Sequence, residues 1–177
     1  MQDLRILRYP DPRLRKLSAP VTEINSELRQ LVARMFELMR ADRGVGLAAP
    51  QVGVNQRLFI INPTGNPQDD RVYINPELSD AQDQDEAEEG CLSLPKITVK
   101  VLRNRKLRMR AQDLEGKWFE EHADGYVARI WQHENDHLDG ILIVDKMSPL
   151  EKLAARKTLR ELEDAYAAVH PGWKRKR

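Results

Sequence analysis

The sequence predicts one domain that mixes helices and β-strands, and three observations carry that expectation. Apolar residues fall at helical spacing in three stretches, around 26–40, 125–138 and 149–169. Between the first two, apolar and polar residues alternate with period two, the mark of half-buried strands. At 177 residues, with 41% hydrophobic and 32% charged, the chain is long enough for a real core and too apolar for a disordered segment. A formal net charge of +1 offers no global argument for nucleic acid. No apolar run approaches membrane-spanning length, and Met1-Gln2-Asp3-Leu4-Arg5 lacks the basic-then-apolar pattern of a secretory signal. The single cysteine, Cys91, rules out an internal disulfide framework and suggests a reducing compartment.

Asp11-Pro12 can start a short helix over 13–17. From Asn25, an N-cap residue type, Leu28, Leu31, Val32, Met35, Phe36 and Met39 mark one buried face of a helix over 26–40. The following Gly44-Val45-Gly46-Leu47-Ala48-Ala49-Pro50-Gln51 is a tight segment that another backbone can approach closely, and its glycine spacing fits no nucleotide fingerprint. Residues 57–62 and 71–75 read as strands joined by a turn at Gly65-Asn66-Pro67. Residues 80–89 carry six acids and no base, the composition of a solvated loop. Then Ile97, Val99 and Val101, and again Leu107, Met109 and Ala111, alternate as strands, with basic side chains between Arg103 and Arg110 on the outer face. Trp118-Phe119 opens another strand after a turn at 113–116.

A central helix is expected over 125–138, with Asp124 as N-cap and Gly140 closing it. Ser148-Pro149-Leu150-Glu151 combines an N-cap serine, a proline in the first turn and a capping-box glutamate, so a last helix should run over 149–169. Leu150, Leu153, Ala154, Leu162, Tyr166 and Val169 would form its apolar stripe. The domain is expected to span 1–170, followed by a basic, flexible tail over 171–177.

The chemistry centres on Gln132-His133-Glu134-Asn135-Asp136-His137, which contains H-E-x-x-H. On a helix, His133 and His137 project from one face, where one metal ion can take both imidazoles, and Glu134 sits next to a ligand, within reach of a metal-bound water. At this chain's own His and Glu frequencies a chance match is on the order of 1%, so the pattern is informative. A hydrolytic site that keeps a position open needs a third protein ligand. Downstream, only His170 is available, beyond a whole helix. Upstream, Cys91 in Glu89-Gly90-Cys91-Leu92-Ser93 is the candidate, although a lone cysteine also serves as a small core residue.

Taken in order, Gly44-Val45-Gly46-Leu47-Ala48-Ala49-Pro50-Gln51, Glu89-Gly90-Cys91-Leu92-Ser93 and Gln132-His133-Glu134-Asn135-Asp136-His137 resemble the three motifs of the peptide deformylases, type I, at compatible spacings. The resemblance extends from Ile6-Leu7 to the last helix. It implies an α+β fold, with antiparallel sheets packed around the metal-bearing helix and a C-terminal helix. It also implies removal of the formyl group from the N-terminal formylmethionine of nascent chains, releasing formate. One divalent ion, natively Fe(II) with zinc, nickel or cobalt as substitutes, would be held by Cys91, His133 and His137. Glu134 would be the general base, while the Gln51 side-chain amide and the Leu92 backbone N–H would face the oxyanion. The substrate backbone would lie between Gly44-Val45-Gly46 and the segment of Glu89 and Gly90. Its methionine side chain would enter a pocket lined by Val45, Tyr126, Arg129 and Ile130. Arg129 departs from the apolar residue of the better-known bacterial members and agrees with an organellar-like subgroup, so its aliphatic stem is expected to wall the pocket. Glu89 and Arg103 are expected to pair behind the second motif. A monomer in the cytoplasm is implied, or in an organellar matrix if a transit peptide has been removed. The basic last helix and tail would contact the ribosome, with no membrane association. The competing readings are a zinc peptidase using the same helix, which the missing downstream ligand disfavours, and a non-catalytic metal-binding module, which Glu134 and Gln51 disfavour.

Overall fold

Asn25 starts the first long helix as its residue type suggests. In the computed structural model, which describes residues 4–175, its side chain accepts from Leu28 N at 3.0 Å and satisfies one of the free amides of the first turn. This helix, α1, spans Ser26–Ala41 and buries the expected stripe from Leu28 to Met39. The helix expected over 13–17 is a single 3-10 turn, Pro12–Arg15. The N-terminal reading involving Met1, Gln2 and Asp3 and the last two tail residues, Lys176 and Arg177, lie outside the described residues.

Five strands follow: β1 (Gly46–Ala48), β2 (Leu58–Ile61), β3 (Arg71–Cys91), β4 (Leu94–Gln112) and β5 (Trp118–Asp124). They pair antiparallel in sequential order, so the expected antiparallel arrangement is one five-stranded sheet. Every residue of β2 is buried because both of its faces are covered. Leu58 and Ile60 pack with the α1 stripe, whereas Phe59 and Ile61 pack with Tyr73, Met109 and Trp131 on the other side. That double burial is why the strand reads Leu-Phe-Ile-Ile, without polar alternation.

The acidic stretch over 80–89 corrects the expectation of a loop, for it lies within β3. Its carboxylates pair with basic side chains of β4, Asp83 with Lys106 at 2.8 Å and Asp80 with Arg108 at 3.3 Å, and just before the stretch Glu77 meets Arg110, its partner across the ladder, at 3.0 Å. Opposite charges on neighbouring strands stabilise the pairing, so a run that looks repulsive alone is matched by its complement. Register shifts after Ile74 and Ser79 mark bulges that bend the long hairpin. The two alternating runs at 97–101 and 107–111 belong to one continuous strand, β4. Arg103 is a second correction: it is 4% exposed and points inward, sharing the parity of Leu107 and Met109 rather than the outer face.

Helix α2, Tyr126–Leu138, carries the two histidines and packs against β1, β2, β4 and β5. Its N-cap is Gly125, with φ 75°, and not Asp124, whose carboxylate instead binds Arg105 Nε at 2.6 Å. Helix α3, Pro149–Val169, has the anticipated capping box, with Ser148 N donating to Glu151 Oε2 at 2.8 Å. Its apolar stripe is corrected: Leu150, Leu153 and Val169 are 76%, 64% and 70% exposed. The face that packs on the third core cluster is Ala155, Leu159 and Leu162, spaced by four and three residues, and Tyr9 Oη adds a bond to Glu163 Oε1 at 2.9 Å. Beyond α3, Trp173 stands edge-on to Tyr166, and Arg175 pairs with Glu163 and Asp164. No described helix is long and apolar enough to cross a membrane.

Candidate metal centre

Three elements bring the donors together. Strand β3 ends at Cys91, where the chain turns tightly through Leu92 and Ser93 so that Leu94 of β4 pairs back on Cys91. One turn of α2 separates His133 from His137, and their rings stand 5.1 Å apart at 75°. Cys91, His133 and His137 each offer a ligand atom, all within 4.8 Å of one another. Cys91 Sγ lies 3.4 Å from His137 Nε2, close to the roughly 3.5 Å that tetrahedral zinc-like bond lengths require between a thiolate and an imidazole nitrogen. The donor set therefore fits one divalent ion with a position left open. Burial and the nearby His133 push the His137 pKa well below its ordinary value, which keeps that ring neutral and able to ligate.

Behind the donors lies a buried charge cluster. Burial raises the Glu89 carboxyl, but bonds from Arg103 and His133 outweigh it and hold the group well below the usual carboxylate range. Arg103 donates Nε and Nη2 to its two oxygens, both at 2.9 Å, and His133 Nδ1 reaches Oε2 at 2.9 Å. With Nδ1 so engaged, Nε2 of His133 is the atom left for a metal. Arg129 adds a second clamp, donating to Glu89 Oε1 at 3.0 Å, to Val101 O at 2.8 Å and to Asp85 Oδ1 at 2.7 Å. The expected Glu89–Arg103 pair is therefore present, extended by Asp136, whose Oδ2 accepts from Arg103 Nη1 at 2.6 Å. Because the folded state depresses the Glu89 pKa below its ordinary 4.5, its ionisation stabilises the fold fully above that value. The contribution is lost as pH falls below it toward the folded-state value. Urea denaturation at pH 7, 5 and 3.5 should show a steep loss over the last interval, and Glu89→Gln should flatten that part of the profile.

Glu134 faces the donors from the inner side of α2. It is 4% exposed, and its Oε2 has no hydrogen-bond partner. Burial pushes its pKa up to about 7, with His133 pulling it down and Glu89 adding to the rise. A carboxylate that holds a proton near neutrality is suited to giving and taking one. Gly46 leaves room for it: a Cβ there would sit 2.3 Å from Glu134 Oε1. Gln51, 1% exposed, receives Ala48 N–H on Oε1 at 2.8 Å, which turns its Nε2 toward Ser93 Oγ at 3.1 Å and Cys91 Sγ at 3.6 Å.

A cavity of about 500 Å³ opens onto this group. Every expected site residue except His137 lines it: Gly44, Val45 and Gly46 on one wall, Glu89 to Leu92 on the other, and Tyr126, Arg129 and Ile130 beside His133 and Glu134. His137 lies deeper, 2% exposed. A Cβ on Gly90 would meet nothing within 4 Å, so the wall there is open. Sequence reasoning had Arg129 as a pocket wall and missed its ties to Glu89 and Asp85. It also missed Arg43, Lys96 and Thr98 at the cavity, which no motif flags.

The family model for polypeptide deformylase matches residues 3–153. The chain belongs to the peptide deformylase family. Among curated relatives, the peptide deformylase of Acidobacterium capsulatum is 45% identical over 162 residues, covering 90% of this chain and 95% of the relative. That of Thermotoga maritima is 43% identical over 159 residues, covering 89% and 95%. Among solved structures, a peptide deformylase from Plasmodium falciparum superposes with TM-score 0.91 at 36% identity, covering 94% of this chain and 99% of that one. Peptide deformylase 1B of Arabidopsis thaliana gives 0.91 at 36% identity and 98% of both chains. Peptide deformylases are metalloenzymes that hydrolyse the N-formyl group of nascent polypeptides, and the Cys-His-His group is the metal-binding set that this chain presents.

Proposed function

We propose that deformylation in this chain is carried by Glu134 as general base, with Cys91, His133 and His137 holding one divalent ion, natively Fe(II) and replaceable by zinc, nickel or cobalt. The observation that supports this most is the buried Glu134 carboxyl, with one oxygen free, beside three convergent donors. When bound, the ion supplies Lewis acidity, which makes water acidic enough to ionise near neutral pH. The residues do the rest. Glu134 takes the proton as hydroxide adds to the formyl carbon, then delivers it to the departing amine, so water and formamide become formate and a free N-terminus. Gln51 Nε2 and the Leu92 N–H donate to the developing oxyanion, each worth roughly 3 kcal/mol of barrier. The peptide lies as an added strand between Val45-Gly46 and the open wall at Gly90. Its methionine side chain enters between Val45, Tyr126, Ile130 and the stem of Arg129.

Formate release from formyl-Met-Ala-Ser, set against cleavage of an internal peptide bond, tests the reading. Release of formate without internal cleavage is expected; the reverse would overturn it. Metal analysis of anaerobically purified protein should find iron. Gly46→Ala should displace the base by its forced contact with Glu134 and lower kcat about 100-fold, the usual scale for a misplacement near 1 Å. We also propose that the exposed basic residues of α3, Lys152, Arg156, Lys157 and Arg160, contact the ribosome, and that the chain acts as a monomer in the compartment where translation occurs. Reversing Lys152, Lys157 and Arg160 to glutamate should weaken ribosome co-sedimentation, and equal binding would remove that proposal.

A further inference from the structure

Five non-glycine residues adopt positive φ among those described. Three are Asn75, Asp80 and Asp83, short polar side chains of the kind that tolerate this region, in or beside the bulged stretch of β3. The other two are long cations, Arg43 at φ 56° and Lys96 at φ 64°, and both line the catalytic cavity. Arg43 holds the position just past α1 that glycine usually fills, while Gly44 N returns to Met39 O at 2.8 Å. Lys96 follows the tight turn that presents Cys91. Residues kept in costly backbone conformations concentrate where function over-determines them.

The placement of the two cations relative to the reacting centre gives them meaning. Gly46 abuts Glu134, so the wall recedes from the chemistry through Val45 and Gly44 to Arg43. On the facing wall the sequence moves away from Cys91 through Leu94 to Lys96. A peptide whose formyl end sits at Glu134 and that extends along this cavity would run past wall segments that carry these two side chains. Arg40 has Asp70 and Arg103 has Glu89, yet Arg43 and Lys96 meet no carboxylate within ion-pair distance among the described residues. Glu88 also borders the cavity, across the ladder from Lys100, so the mouth holds one carboxylate beside the two cations. Arg43 and Lys96 therefore leave the mouth with a net excess of positive charge that no ion pair among the described residues neutralises.

We propose that Arg43 and Lys96 make this deformylase favour nascent chains with an acidic side chain at the second or third residue after formylmethionine. This selectivity rests on the deformylase reading and adds the substrate class to it. Exposed ion pairs are individually weak and screened by salt, so the expected preference is modest, about fivefold in kcat/KM for an acidic over a basic residue. It should act mainly through KM, because the contact is made equally in the ground and transition states.

The test compares formyl-Met-Ala-Glu-amide, formyl-Met-Ala-Ser-amide and formyl-Met-Ala-Lys-amide, all C-terminally capped so that no terminal carboxylate intrudes. A second set carries the varied residue one position later. Formate release should fall in the order Glu, Ser, Lys at low ionic strength, and the order should flatten at 0.5 M salt. Arg43→Gly with Lys96→Gly removes both charges while suiting the backbone, and should abolish the order; Arg43→Glu with Lys96→Glu should invert it. Ratios are taken within each enzyme, so a general loss of activity cancels. Equal rates for the three peptides in both sets, or an order that survives the double glycine change, would overturn the proposal. No formate from any peptide would instead overturn the deformylase reading.

Discussion

Replacing Glu134 by glutamine should reduce formate release about 1,000-fold while leaving metal content unchanged. Glutamine fills the same space beside Gly46, so the fold and the peptide wall are kept. The three donors belong to Cys91, His133 and His137, so the ion stays. What disappears is the group that takes a proton from water and returns it to the amine. General acid–base catalysis is worth roughly 100- to 10,000-fold, and 1,000-fold corresponds to about 4 kcal/mol of barrier. Stability should not fall, because the substitution removes a buried carboxyl whose Oε2 has no partner. Single-turnover formate assays with metal stoichiometry on the same sample check both halves. Activity within tenfold of the parent at full metal content would place the base elsewhere.

Glu89→Ala should be the most damaging single change behind the centre. It strips a carboxylate from two buried arginines and from His133 at once. Breaking a buried pair by removing one partner typically costs about 3–5 kcal/mol, since the surviving charge stays desolvated. Asp136 and Asp85 remain as partners for Arg103 and Arg129, which places the expected loss nearer the lower figure. Freed from Oε2, the His133 ring loses the bond that orients it, and metal affinity should drop about 10- to 100-fold, as is common when such a supporting group is removed. Urea midpoints at constant slope give the first quantity; competition with a chelator gives the second. Unchanged stability and unchanged affinity together would show that Glu89 supports neither.

The histidine helix was legible because chemistry constrains spacing: H-E-x-x-H makes sense only on one helical face, and α2 provides it, whereas Cys91 as third ligand and the purpose of the first motif came from the resemblance to the family. Asn25 and Ser148 announced their helices through capping, which is local. What could not be read depended on partners far away in the chain. The acids over 80–89 look like a loop until the cations of β4 lie across from them. Arg103 sits in a basic run, and only strand parity at a buried site turns it inward. For α3, Leu162 of the expected stripe does pack, while Ala155 and Leu159 take the places expected of Leu150, Leu153 and Val169, a choice made by the surface beneath the helix. The expectation for Arg129 missed its second role because Asp85 and Val101 reach it from 44 and 28 residues away.

The outer part of the β3–β4 hairpin has a consequence for motion. Residues 80–86 are all exposed, so this arm has almost no core of its own and is held by ladder bonds and by charges within reach of solvent. Concentrated salt weakens those charges and leaves the three buried clusters intact. Amide protons of the arm should therefore exchange through local opening far below the global unfolding free energy, and faster in 1 M than in 0.1 M sodium chloride. Asp85 belongs to that arm and also grips Arg129. Each opening of the tip thus releases one tether of the catalytic scaffold, making ionic strength a dial on the stiffness of the active site.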